Sequence, residues 1–248
     1  MIVLDGVGIP SDDVPEILAT GRTDITTIFV SMAARHPDGG DADYLEWHTL
    51  DHRPEQQRLP TLRASLRLVS TPNCRAARAA SHAGYDGADH VMTYFFADIV
   101  GLEEFNDLSV ALRNAGRTPF VLPPVQRGVY TVEATAAAPR IRAGADVLPW
   151  RPVTGVYVLL EQGTAPTHAL VEIPGVAGIW SATSTPTAFS TAAAGQQITY
   201  CFLDDDPVDT AARLRPVLER RWETAAVSRL LAGPFYPVVP YAWDRYLP

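Results

Sequence analysis

Residues 44–70 read YLEWHTLDHRPEQQRLPTLRASLRLVS, and the change of rhythm inside this stretch decides the fold class. After Pro60, Leu62, Ala64, Leu66 and Leu68 alternate with Arg63, Ser65 and Arg67, the period-two pattern of a half-buried strand. Before it, polar side chains recurring at one-turn intervals predict a helix from about Tyr44 toward Arg58, with Asp41 or Asp43 as N-cap and Pro60 beyond its end. Pro54 removes one amide donor inside that helix, so a kink or stop is expected near Arg53.

Working outward, TTIFVSMAAR from Thr26 is a strand and HPDGGD a turn. Downstream, a glycine-containing loop leads to the strand HVMTYFFADIV. GLEEFNDLSVALRNAGR then places apolar residues at 102, 105, 108 and 112, a helical spacing that ends at Gly116, and QRGVYTVEATAA is a further strand. The order β-α-β-β-α-β is that of a ferredoxin-like unit over residues 25–138. Residues 1–24 form an N-terminal extension, and 139–152, rich in proline and arginine, form a linker. From 153 to 248 the pattern restarts: AGIWSATSTP corresponds in position to LRASLRLVSTP, QQITYCFLDDD to HVMTYFFADIV, and PVDTAARLRPVLERRW is helical. The fold expected is α+β, two tandem ferredoxin-like units, the second degenerate because APTHALVEIPGV replaces the first helix and its polar residues.

Composition narrows the function. A chain of 248 residues with 47% hydrophobic content buries a substantial core. A net charge of −8 without any basic stripe argues against nucleic acid as partner. All 20 basic residues are arginine, which excludes Schiff-base lysine chemistry and a phosphate-loop lysine. Cys74 and Cys201 lie far apart and are expected to be reduced thiols, not zinc ligands. No basic leader precedes an apolar run and no run reaches the ~18 residues of a membrane span, so a cytoplasmic protein with no membrane partner is expected. GVGIP near the start is no dinucleotide fingerprint, and no G-x-S-x-G elbow occurs. Asp204, Asp205 and Asp206 read as a solvated strand end, His82 and His90 as surface residues, and Phe95, Tyr157 and Trp180 as core or cavity wall.

On a regular helix Tyr44, His48, His52 and Glu55 share one stripe, with Trp47 and Asp51 on the adjoining one. An imidazole beside a carboxylate is a competent acid or base near neutral pH. The same residues also describe the solvated side of a helix, or a His-x-x-x-His metal pair with Glu55 or Asp51 as third ligand. One helix rarely supplies a full ligand shell, and no metal is expected.

The stretch quoted first, followed by HVMTYFFADIVGLEEFNDL and GRTPFVLPPVQRGVY, resembles EthD-like proteins of the dimeric α/β-barrel superfamily. The resemblance covers roughly residues 25–138 and places pocket positions at Trp47, His48, His52, Pro54 and Glu55, with Arg67 and Arg127 on later strands. Gln56 and Thr61 depart from the basic residue and the glycine usual in that family. The resemblance implies an intramolecular dimeric α/β-barrel with a small apolar guest between one sheet and its helices, and the possibility of a further homodimer. It implies a cofactor-independent enzyme of isomerase, lyase, cyclase or monooxygenase type acting on an aromatic or polyketide-like molecule. His48 or His52 would move a proton, the other histidine or Glu55 would orient it, and Arg67 or Arg127 would stabilise an anion; Tyr44, Trp47, Tyr94 and Phe96 would complete the substrate contacts. A non-catalytic ligand-binding protein is the alternative. A haem protein is a third, without an attachment motif to support it.

Overall fold

The computed structural model describes residues 9–21 and 24–246. Gly6 and Gly8 of GVGIP, and the rest of residues 1–8 of the expected extension, lie outside the described residues. In chain order the elements are α1 (Pro15–Leu18), β1 (Thr27–Ala33), α2 (Asp41–Trp47), a π-helical turn (His48–His52), α3 (Arg53–Gln56), β2 (Leu62–Val69), α4 (Pro72–Ala76), β3 (Ala80–Ser81), β4 (His90–Phe96), α5 (Gly101–Asn114) and β5 (Pro124–Ala137). There follow β6 (Gly155–Gln162), a 3-10 turn (His168–Glu172), β7 (Val176–Ser184), β8 (Gln196–Leu203), α6 (Pro207–Thr224) and β9 (Ser228–Pro237).

The strands pair in the order β2-β4-β1-β5-β7-β8-β6-β9, and β9 returns to β2, so an antiparallel barrel of eight strands closes within one chain. The short β3 adds itself to β9 outside this ring. Alternation along each strand sorts side chains to two faces. Ile28, Val30 and Met32 of β1, Val91 and Phe95 of β4, Val156, Val158 and Leu160 of β6, and Trp180 of β7 fill the barrel interior. Phe95 and Trp180 meet there edge to face, with ring centroids 5.7 Å apart.

Residues of opposite parity face outward beneath the helices, and here the two halves differ. Under α6, Ala211, Leu214 and Leu218 pack on Tyr157, Leu159, Ile179, Cys201 and Leu203, which fills the space between that helix and its sheet. Under α2, α3 and α5, Phe29, Tyr94, Phe96, Leu102 and Phe105 cover only part of the floor. The helix predicted in the first half has no counterpart in the second beyond the 3-10 turn at His168–Glu172.

Several local expectations are resolved. Asp206 caps α6 by accepting from the Val208 and Asp209 amides, while Asp204 pairs with Arg140 at 2.7 Å and Asp205 with Arg213 at 2.8 Å. Gly116, at φ +72°, closes the end of α5. Cys74 and Cys201 are free and buried. The 139–152 segment joining the two halves packs on them: Ile141, Ala145 and Leu148 are buried, and Trp180 Nε1 donates to the Ala145 carbonyl at 2.7 Å. Among the described residues no helix is long and apolar enough to cross a membrane.

Candidate active site

Between the outer face of β1, β2, β4 and β5 and the helices above lies a cavity of about 660 Å³, within the range that holds a drug-sized molecule. Its floor includes Phe29 and Ser31 of β1, Arg67 of β2, Met92 and Tyr94 of β4 and Arg127 of β5. Its roof includes Tyr44, Trp47, His48, His52 and Gln56. Arg67 pairs in register with Met92, Met92 with Ser31, and Ser31 with Arg127, which sets the two arginines at opposite ends of one rung.

The roof helix differs from the predicted one in a way that changes the site. The Arg53 amide bonds to the His48 carbonyl, five residues back, so the turn His48–His52 is π-helical. This wider turn comes just before Pro54, which has no amide to donate, and the helix continues through Pro54 to Gln56 where a stop near Arg53 was expected. Gln56 rather than Glu55 consequently follows His52 into the cavity wall. Glu55 turns away and pairs with Arg58 at 2.8 Å and with Arg117 at 3.0 Å, and those two hydrogen bonds, Arg58 first, hold its carboxyl below the usual range. Arg117 also pairs with Asp51 at 2.7 Å, which ties the segment after α5 to the roof.

Gln56 is buried and joins two residues of the wall: Tyr94 Oη donates to its amide oxygen, and its amide nitrogen donates to His52 Nε2 at 3.0 Å. Neutral His52 therefore carries its proton on Nδ1. With the Tyr94 proton committed to Gln56, the Tyr94 oxygen accepts the longer 3.5 Å contact from His48 Nε2, which leaves a lone pair on His48 Nδ1. Burial, then the nearby Arg67 charge, holds the His48 pKa well below its ordinary value; burial also lowers that of His52, against the opposing charge of Asp51.

Arg67 is 4% exposed and faces no carboxylate directly. Its Nη2 donates to His90 Nδ1 at 3.2 Å, His90 Nε2 donates to Asp41 Oδ1 at 2.6 Å, and the guanidinium lies 4.7 Å from the centre of the Tyr44 ring. Its Nη1 makes no hydrogen bond among the described residues. His90, expected at the surface, is completely buried: it opens β4 on the face that α2 covers. Burial pushes its pKa down to about 4 despite the Asp41 hydrogen bond, so the ring is neutral. Asp41 is no N-cap either. Burial raises its carboxyl, but hydrogen bonds from His90 and the His36 amide outweigh that and hold it ionised.

The sequence reading and the structure differ at further points. Phe96 is fully buried against Phe105, at 5.5 Å between centroids, and lies behind the cavity wall. The second half contributes to the cavity after all: Ala188, Phe189 and Thr191, from the loop between β7 and β8, close one side. That loop is bound to β5, with the Thr191 amide on the Arg127 carbonyl at 2.7 Å and the Thr185 amide on the Val129 carbonyl at 2.8 Å. A strand pairing between the halves, β5 with β7, brings it there; nothing in the local pattern of residues 185–195 marks it.

Trp47 Nε1, His48 Nδ1, His52 Nδ1, Arg67 Nε and Thr118 Oγ1 are buried without a hydrogen-bond partner among the described residues, and all five residues line this cavity. Buried polar groups are almost always satisfied, so their concentration here points to a guest that brings polar atoms. Among the described residues no three of His, Cys, Asp and Glu converge to hold a metal ion.

No family model and no curated protein matches the sequence. Solved structures do match in fold. An anthrone oxidase-like protein is 12% identical, with 87% of this chain and 92% of that one covered and a TM-score of 0.50. A candidate chlorite dismutase is 10% identical, with 90% and 100% covered and a TM-score of 0.56. The chain has the dimeric α/β-barrel architecture.

Proposed function

We propose that the protein is a small-molecule enzyme whose first-half cavity removes a proton from a planar, largely apolar carbon or oxygen acid and holds the resulting enolate or phenolate against Arg67. One observation carries this reading: two neutral imidazoles and a buried arginine without a facing carboxylate line one cavity beside Tyr44, Trp47, Phe29 and Tyr94. In this reading His48, with its free Nδ1 lone pair, is the base. His52, oriented by Gln56, donates from Nδ1, and Arg67 stabilises developing negative charge where water is largely excluded. The strand order 2-3-1-4 within each half supports two ferredoxin-like units, 25–138 and 153–248, and the helix motif supports an EthD-like branch of the superfamily.

A binding-only role is the second reading, favoured by the depressed pKa of His48, which makes it a weak base. Haem fits poorly: both Nε2 atoms are engaged, by Tyr94 and by Gln56, and the matching space in the second half is filled. The anthrone oxidase-like neighbour suggests a first probe. Anthrone carries an acidic methylene whose conjugate base is a phenolate. Deuterium exchange at that methylene, followed by proton magnetic resonance, is expected to be accelerated by the protein and slowed about 100-fold in His48→Gln. Glu55→Gln is expected to exchange within about twofold of the parent. Binding without exchange would select the second reading, and undiminished exchange in His48→Gln would refute the assignment of the base.

A further inference from the structure

We infer that the substrate carries a standing anionic group, a carboxylate on an aromatic or polycyclic frame, held at the cavity rim by Arg127 and Arg113. The inference rests on the cavity reading above and adds the chemical class of its occupant. In a chain with 28 acidic and 20 basic residues, the lining contains Arg67, Arg113 and Arg127 and, among the described residues, no aspartate or glutamate. Among the described residues ten other arginines form ion pairs with carboxylates; these three form none, and neither do Arg53, Arg215, Arg220, Arg229 and Arg245, but only these three meet around one hollow. An acidic protein that gathers unpaired cations around one hollow builds a local potential of the opposite sign to its own, and such a hollow selects anions.

The two ends of the hollow differ in kind. Arg67 is buried and fixed by His90 and Tyr44, where it can meet an oxygen whose charge develops in the reaction. Arg127 is exposed, roughly 14 Å away along the rung by three strand spacings, and its guanidinium makes no hydrogen bond among the described residues. Arg113 reaches the same cavity from α5 and is also exposed. Between the ends lie Met92, Ser31, Phe29, Tyr94 and Phe105, a floor suited to a ring system. The arrangement fits a molecule with its reacting end inside and a permanent charge at the rim.

The test compares 2-anthracenecarboxylate with its neutral carboxamide by fluorescence anisotropy titration of the full chain. The carboxylate is expected to bind at least tenfold tighter, and rising salt is expected to erode that preference because the rim charges are exposed. Arg127→Gln and Arg113→Gln, combined, should bring the ratio close to one while the carboxamide affinity stays the same. Equal affinity for both probes in the parent protein would overturn the inference and leave the cavity reading standing. A preference that survives the double substitution would also overturn it. Failure of both probes to bind would overturn the inference and the cavity reading together.

Discussion

If His90 is the neutral spacer that lets Asp41 hold Arg67 in place, lowering the pH should cost the fold free energy through this one ring, by an amount the structure fixes. Its pKa falls from 6.5 to about 4 on folding. The unfolded chain then binds the proton more tightly, so stability is fully present above pH 6.5 and declines as the pH drops toward 4. Integrated from pH 7.5 to 4.5, this linkage removes about 2.5 kcal/mol, given about 1.4 kcal/mol per pKa unit. Burial lowers His48 and His52 too, which adds loss in the same window, whereas burial raises Asp89 and works against it. A difference measurement removes these shared contributions. Gln at position 90 can offer an amide N–H to Asp41 and an oxygen to Arg67 but does not titrate. Urea unfolding of the parent and of His90→Gln at pH 7.5, 6.5, 5.5 and 4.5, followed by circular dichroism, should show the parent losing about 2.5 kcal/mol more than the variant across that range. Parallel pH profiles would mean that His90 does not titrate between the folded and unfolded chains as this geometry requires.

Two further substitutions address the roof and the closing loop. Gln56→Leu leaves the Tyr94 hydroxyl and the His52 ring without their shared partner, and should lower stability by about 1–3 kcal/mol in thermal or urea melts. It should also abolish the pH-independent orientation of His52, visible as altered imidazole resonances in magnetic resonance spectra. Phe189→Ala removes a ring that the second half lends to the cavity; because that ring is only partly buried, the melting temperature should change little while affinity for a polycyclic probe falls several-fold. A large loss of stability with unchanged affinity would place Phe189 in the core and not in the site.

Much of the architecture was legible because strands announce themselves by alternation. The runs at Thr27–Ala33, His90–Phe96, Gly155–Gln162 and Gln196–Leu203 were all visible as strands, and the polar helix pointed to the cavity beside it. The misreadings have two causes: periodicity assumes a regular local geometry, and it carries no information about which elements meet in space. At constant α-helical pitch Glu55 follows His52 on the stripe; one π turn substitutes Gln56, whose spacing of four from His52 was present in the sequence but carries no marker of its own. His90 looked exposed because it opens a strand, and only the descent of α2 over that strand end, with Asp41 facing inward, buries it. Phe189 was out of reach altogether. Its place depends on β5 pairing with β7 across the two halves, a contact between positions that no local pattern connects.

The two halves divide the physical tasks of the molecule, and that division is the strongest argument that the cavity is there for a guest. A void and unsatisfied buried polar atoms both destabilise a fold, the first by lost contacts and the second by uncompensated desolvation. The second half limits both by packing α6 directly on its sheet, with Tyr157 Oη and Thr210 Oγ1 as the unpartnered buried polar atoms there among the described residues, although it uses the same strand order. The same architecture can therefore be filled with aliphatic side chains, and the first half is not hollow because the barrel demands it. It retains the hollow with Trp47 Nε1, His48 Nδ1, His52 Nδ1, Arg67 Nε and Thr118 Oγ1 unpartnered around it among the described residues, while the barrel interior and the second half supply the packing that compensates. A ligand carrying an acidic oxygen on a flat frame would fill the space and give Arg67 the anion it lacks, so binding should raise the stability of the chain as well as test its chemistry.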